Sequence, residues 1–290
     1  MPYKRQTNLQ GSYTQAVEER DDNGARGPSI INIPAGTKIY KLDLANANKD
    51  HYFNILPYNI ETENHPSVFK GKRKIGDGDF RLDIYTHRVE GVLKGNVLCM
   101  SQTYGKPCPY EQEVGEQDTK SPSHRTIFWV QECDRRGTPI GDGKPQLFIT
   151  SHYAFTKTFL EEVDIQGKQL GFNGPVPFAD PDKGYVIGFR FRAASAGNGI
   201  KYAELSRVDF LERANPIPQS TLDSIPALDT LLVIPTAKMV RDALYGKTED
   251  APVDEGEPLH ESNGAAAGTT DGAANTATPP ANQVRPDESF

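Results

Sequence analysis

Beyond Lys247 the sequence loses almost everything a protein core is made from. The run GAAAGTTDGAANTATPPAN is built of Ala, Gly, Thr, Asn and Pro, and acids surround it. Such a segment cannot bury enough apolar surface to offset its ordering entropy, so residues 248–290 are expected to stay disordered. At the other end, residues 1–28 are polar and read as a flexible arm given a small basic start by Lys4 and Arg5, with Thr7. The fold must therefore come from residues 29–247, enough chain for one large domain or two small ones. A hydrophobic content of 36% and a mean hydropathy of -0.59 agree with unpacked ends.

Within that span the periodicity is mostly that of strands. IINIPAGTKIYKLDL, HYFNILPYNI, TIFWVQEC, QLFIT and YVIGFRFRA are rich in β-branched and aromatic residues. DFRLDIYTHRVEG alternates cleanly, with Phe80, Leu82 and Ile84 against Arg81, Asp83 and Tyr85. Two helices are expected: SHYAFTKTFLEEV with Ser151 as N-cap, and Thr236 to Tyr245 closing at Gly246. The fold class is mainly β (α+β), a barrel or sandwich, and a five-stranded oligonucleotide-binding barrel is compatible with the pattern.

Charge is distributed unevenly. The formal net charge is -7, yet residues 248–290 hold nine acids against Arg285 alone. The tail thus carries -8 and residues 1–247 carry +1. A near-neutral body with a separate acidic tail does not exclude a polyanionic partner.

Between His87 and Glu111 the sequence reads HRVEGVLKGNVLCMSQTYGKPCPYE. His87, Cys99 and Cys108 supply three ligand types that zinc prefers, and Glu111 stands where a C-x-x-C pair would have its second thiolate. Cys133 or His124 is an alternative fourth ligand, and plain burial of the cysteines is the alternative to metal. Three cysteines are an odd number, so a disulfide framework is not expected.

Lys70, Lys72, Arg73 and Lys74 cluster in a segment that Gly71 and Gly76 mark as a loop, a basic loop suited to phosphate. Aromatic and basic residues interleave elsewhere: Arg81, Tyr85 and Arg88; Tyr104, Lys106 and Tyr110; Trp129 before Arg135 and Arg136; Arg190 and Arg192 opposite Phe189 and Phe191. Single-strand binders combine positive charge along the backbone with rings on which bases stack. No G-x-S-x-G, P-loop, dinucleotide fingerprint or HExxH is present, so no enzymatic activity is expected. No apolar run approaches the roughly 20 residues needed to span a bilayer, and MPYKRQTNLQ lacks a signal-peptide core. An intracellular protein is expected.

These blocks together resemble the single-stranded DNA-binding, helix-destabilising proteins of tailed bacteriophages. The resemblance runs from about Tyr52 to Tyr245 through FNILPY, the His87–Cys99–Cys108 block with GKPCP, FWVQECDRRG, DPDKGYVIGFRF and IPALDTLLVIPTAKMVRDALYG, in that order. It implies an oligonucleotide-binding barrel with an inserted zinc-ribbon-like subdomain at about 87–133. It also implies non-sequence-specific binding of single-stranded DNA in replication, recombination and repair in the host cytoplasm. Zinc would be held by one His and three Cys; His87, Cys99 and Cys108 match, and Glu111 departs. Zinc is then bound through Glu111, bound with a substitute ligand, or lost. The arm with Lys4, Arg5 and Thr7 would mediate cooperative self-association, and the tail ending in Asp287, Glu288 and Phe290 would recruit replication and recombination proteins. The competing readings are a virion structural or decoration protein and a metal-dependent DNA nuclease or recombination enzyme.

Overall fold

Ten strands organise the described residues: β1 Lys38–Tyr40, β2 His51–Leu56, β3 Tyr58–Asn59, β4 Gly78–Asp79, β5 Leu82–Glu90, β6 Lys94–Leu98, β7 Ser123–Glu132, β8 Gln146–Ser151, β9 Tyr185–Ser195 and β10 Lys201–Glu212. The computed structural model describes residues 27–115, 118–195 and 201–246. The expectations for Lys4, Arg5 and Thr7, and for Asp287, Glu288 and Phe290, fall outside these residues.

Eight of the strands form one sheet, and β3 and β4 make a separate ribbon. The protein is a mixed α/β structure dominated by this sheet, with few helices. β7 is its centre. One edge of β7 pairs with β8 along Arg125–Val130. The other edge is divided: its N-terminal half pairs with β5, from Leu82↔Ile127 to Thr86↔Ser123. Its C-terminal half pairs with β2, from Phe53↔Glu132 to Leu56↔Trp129. The sheet therefore forks, into β5–β6 on one branch and β2–β9–β10 on the other, with β1 parallel to β8 at the far side.

This corrects the expected barrel. Closure requires the outermost strands to meet, whereas among the described residues β1 and β10 end the sheet without pairing to each other. Two strands sharing one edge of β7 branch the sheet where a barrel would curl. Ser123–Glu132, which falls inside the expected insertion, is the central strand.

Both faces of β7 are covered, so its apolar run is nearly continuous where a half-exposed strand would alternate. Ile127 and Trp129 pack with Leu56, Leu82, Ile84, Leu147, Leu228 and Val240, in a core that also takes in Cys99, Tyr104, Cys108 and Tyr110. Phe128 and Val130 face a second core rich in phenylalanine, including Phe53, Phe148, Phe155, Phe159, Phe189 and Phe191. Each such side chain contributes about 1.5–3 kcal/mol by leaving water.

Local chemistry explains the boundaries. Pro57 separates β2 from β3, because it has no N–H for a ladder. Ser151 accepts a hydrogen bond from the Ala154 amide and opens a π-helical turn, His152–Thr156, that leads into the helix Lys157–Gln169. Thr236 caps the helix Ala237–Tyr245, which stops at Gly246 as its sequence indicates.

Candidate functional site

Two sites stand out: a buried ligand cluster and an open groove. The cluster gathers His87 from β5, Cys99 just after β6, and Cys108 and Glu111 around the start of the helix Pro109–Val114. Their ligand atoms all lie within 4.8 Å of one another. His87 Nε2 is 3.1 Å from Glu111 Oε1, and Cys99 Sγ is 3.5 Å from the same oxygen. Ser101 donates its hydroxyl to Glu111 Oε1 at 2.7 Å and fixes that carboxylate. Tetrahedral zinc with bonds of about 2.0–2.3 Å sets its ligands about 3.3–3.8 Å apart, so this spacing fits a metal ion.

Each cysteine also begins a helix. Cys99 is the N-cap of Met100–Tyr104 and accepts from the Gln102 amide, while Cys108 precedes Pro109–Val114. Amides aimed at sulfur favour thiolate. A hydrogen bond from Cys99 draws the Cys108 thiol well below its ordinary range, helped by His87 and backbone amides against opposing burial. The same bond, together with burial, pushes Cys99 up. Burial acts to lower His87, but hydrogen bonds to Cys108 and Glu111 outweigh it and the imidazole lies above its usual value. Its ring stacks on Tyr110 with centroids 4.8 Å apart.

The alternative fourth ligands lie elsewhere. Cys133 is buried away from the cluster, its thiol pushed up to about 12 by burial. His124 sits with Asp83 and His152.

Apart from Tyr85, whose ring stacks on His124, the expected strand-binding residues divide into three groups. Trp129 is 1% exposed and donates to the Pro226 carbonyl. Tyr104 is buried with its hydroxyl on the Asn64 carbonyl, and Tyr110 is buried against His87. These three rings are core, which removes them as stacking platforms. In a second group the charge is already matched by a carboxylate: Arg190 by Asp50 at 2.6 Å, Arg192 by Glu204 at 2.7 Å, Arg81 by Asp83 at 2.9 Å and Arg88 by Glu90 at 3.7 Å. Lys106 lies over the Phe69 ring at 4.8 Å. The third group is exposed: Lys70, Lys72, Arg73 and Lys74 in a turn where Gly71 and Gly76 adopt positive φ, and Arg135 and Arg136 in another turn. Lys72, Arg73 and Arg81 share one small cavity.

The groove was not legible in the sequence. It has a volume of about 840 Å³ and is lined by Lys41, Arg125, Tyr153, Tyr202 and Glu204 among others. A second depression of about 740 Å³ shares Ile39, Arg125 and Ile149 with it and reaches Lys94. Arg125 is half-buried between the two, and no carboxylate pairs with it among the described residues. Tyr153 is 75% exposed and Tyr202 38% exposed. Arg192, through Glu204, stands at the rim.

No family model matches this chain, and no curated protein matches it. Function must therefore be argued from these two sites. Among the described residues no helix is long and apolar enough to cross a membrane.

Proposed function

We propose that this protein binds single-stranded DNA without sequence preference, and that the strand lies in the groove around Arg125. The observation that carries this reading is the half-buried arginine without a carboxylate partner, flanked by two exposed tyrosines. A guanidinium held in a groove and left unmatched is suited to a phosphate, which it can grip with two parallel hydrogen bonds. Lys41 adds exposed charge along this groove and Lys94 along the second depression that shares Arg125 with it. Tyr153 and Tyr202 offer ring faces to bases, and base stacking on an aromatic contributes about 1–3 kcal/mol each.

Adjacency extends this track. Tyr153 neighbours His152, with ring centroids 5.7 Å apart. His152 lies beside His124, whose ring stacks on Tyr85. Asp83, next to His124, pairs with Arg81, which shares its cavity with Lys72 and Arg73. Basic and aromatic groups thus follow one another from the 70–74 loop to Tyr202. Only unpaired bases present free faces to such rings, so binding shifts duplex toward single strand by mass action. No step needs a catalytic group.

The donor set His87, Cys99, Cys108 and Glu111 fits zinc, which these side chains would hold. The ion would supply a tetrahedral tie among β5, β6 and the two short helices, a structural role. In this reading the acidic tail recruits partner proteins and competes with DNA for the groove.

The test is binding of labelled oligothymidine by Arg125→Gln compared with Arg190→Gln. The groove variant is expected to lose about tenfold affinity, the variant of the carboxylate-matched arginine about twofold or less. Equal losses would overturn the placement.

A further inference from the structure

A second metal-type cluster lies outside the His87 group. Asp83, His124 and His152 come from β5, β7 and the residue following β8, three neighbouring strands of the sheet. One ligand atom from each lies within 4.8 Å of the others. His124 Nε2 is 3.9 Å from Asp83 Oδ1. His124 Nε2 and His152 Nδ1 are both shut off from solvent, and neither has a hydrogen-bond partner. Two buried imidazole nitrogens left unmet beside a carboxylate need an explanation, since such atoms are normally satisfied.

We propose that Asp83, His124 and His152 form a binding site for a divalent transition-metal ion of the zinc type. Two imidazoles and one carboxylate are a donor set that such ions take, leaving further positions open. The carboxylate is already held: Thr126 donates to Asp83 Oδ1 at 2.7 Å and Arg81 meets Oδ2 at 2.9 Å. Partners of this kind orient a ligand before the ion arrives. The backbone agrees, for His152 begins a π-helical turn, a geometry frequent at functional sites.

One movement is required. The two rings lie face to face, centroids 3.9 Å apart and planes 16° apart, so their lone pairs run side by side. His152 must turn about its side-chain bonds until both nitrogens converge on the ion. The stack it gives up is weak compared with ligation by three groups. These three side chains also lie along the strand track, but the metal proposal rests on their own donor geometry and is separate from the thiolate cluster, so either can fail without it.

The experiment is a cobalt(II) titration of the metal-free full-length chain, followed by visible absorption. Cobalt on thiolates gives an intense sulfur-to-metal charge-transfer band, whereas cobalt on nitrogen and oxygen gives only weak ligand-field bands. The wild-type chain is expected to take up about one thiolate-free equivalent besides any held by Cys99 and Cys108. His152→Gln should abolish the thiolate-free equivalent and leave the charge-transfer band unchanged. Asp83→Asn serves as a second variant if His152→Gln does not fold, with circular dichroism as the check. A wild-type chain that binds cobalt with the thiolate band alone, or a folded variant that keeps the thiolate-free equivalent, overturns the proposal.

Discussion

The His87 cluster and the Arg125 groove are built in opposite ways. The cluster is closed: its four ligand atoms lie within 4.8 Å of one another, Cys99 accepts from the Gln102 amide, and its neighbours Tyr104 and Tyr110 belong to the core around Trp129. The groove is open: its arginine has no described carboxylate and its tyrosines face solvent. A region whose charges and donors are already met serves stability, while one left unmet is available to a ligand. Substitutions should therefore separate into two classes, one that loses stability and one that loses binding.

The largest expected effect is on the cluster. Replacing Cys99 and Cys108 by Ser should remove bound metal and destabilise by about 5 kcal/mol or more, given that structural zinc contributes about 10–16 kcal/mol in small domains. Metal analysis with thermal unfolding checks this, and an unchanged midpoint would make the cysteines ordinary core. Trp129→Ala comes next, at about 3–5 kcal/mol. The gentler Trp129→Phe should keep oligonucleotide affinity within about twofold, because the indole is buried in the core. A large loss of affinity in that variant would return Trp129 to the interface.

In the groove, Tyr153→Ala should weaken binding by about 1–3 kcal/mol with little change in stability, as befits an exposed ring. A fall in stability with no loss of binding would reverse the contrast drawn here. The smallest effect concerns pH. Burial holds His51 and His65 below the ordinary imidazole value of 6.5. The unfolded chain therefore takes up protons first as acid is added, so their contribution to stability is present above that value and lost as pH falls through the window beneath it. Protonation of His65 would also break its acceptance of the Ser67 amide. Unfolding midpoints should decline from about pH 7 to about pH 5. A rise over that interval would contradict the directions given.

The same contrast explains what the sequence discloses. The cluster is local: His87 to Glu111 is one short block, and residue types with their spacing already mark it as ligand-like. Strands β2, β5, β7, β8 and β9 are readable because their apolar residues follow the pleat or fill both faces. β10 was missed because a register shift between Leu205 and Arg207 breaks its alternation. β6 was missed because Gly95 and Asn96 are poor strand formers; Gly95 is needed there, since a side chain would run into the Pro28 carbonyl at 2.3 Å. The groove gave no signal, as Lys41, Arg125, Tyr153 and Tyr202 meet only through the sheet pairing. Asp83, His124 and His152 are separated in the chain for the same reason. Clustered arginines misled in the opposite direction, because cross-strand carboxylates such as Glu204, opposite Arg192, are invisible until the register is known.

The most direct test is to measure affinity of the full-length chain for single-stranded and double-stranded oligonucleotides of equal length across a range of salt. The groove account predicts a steep linear fall of log affinity with log salt and a preference for the single strand of about a hundredfold or more. Affinity that ignores salt, or that is the same for both forms, would contradict it.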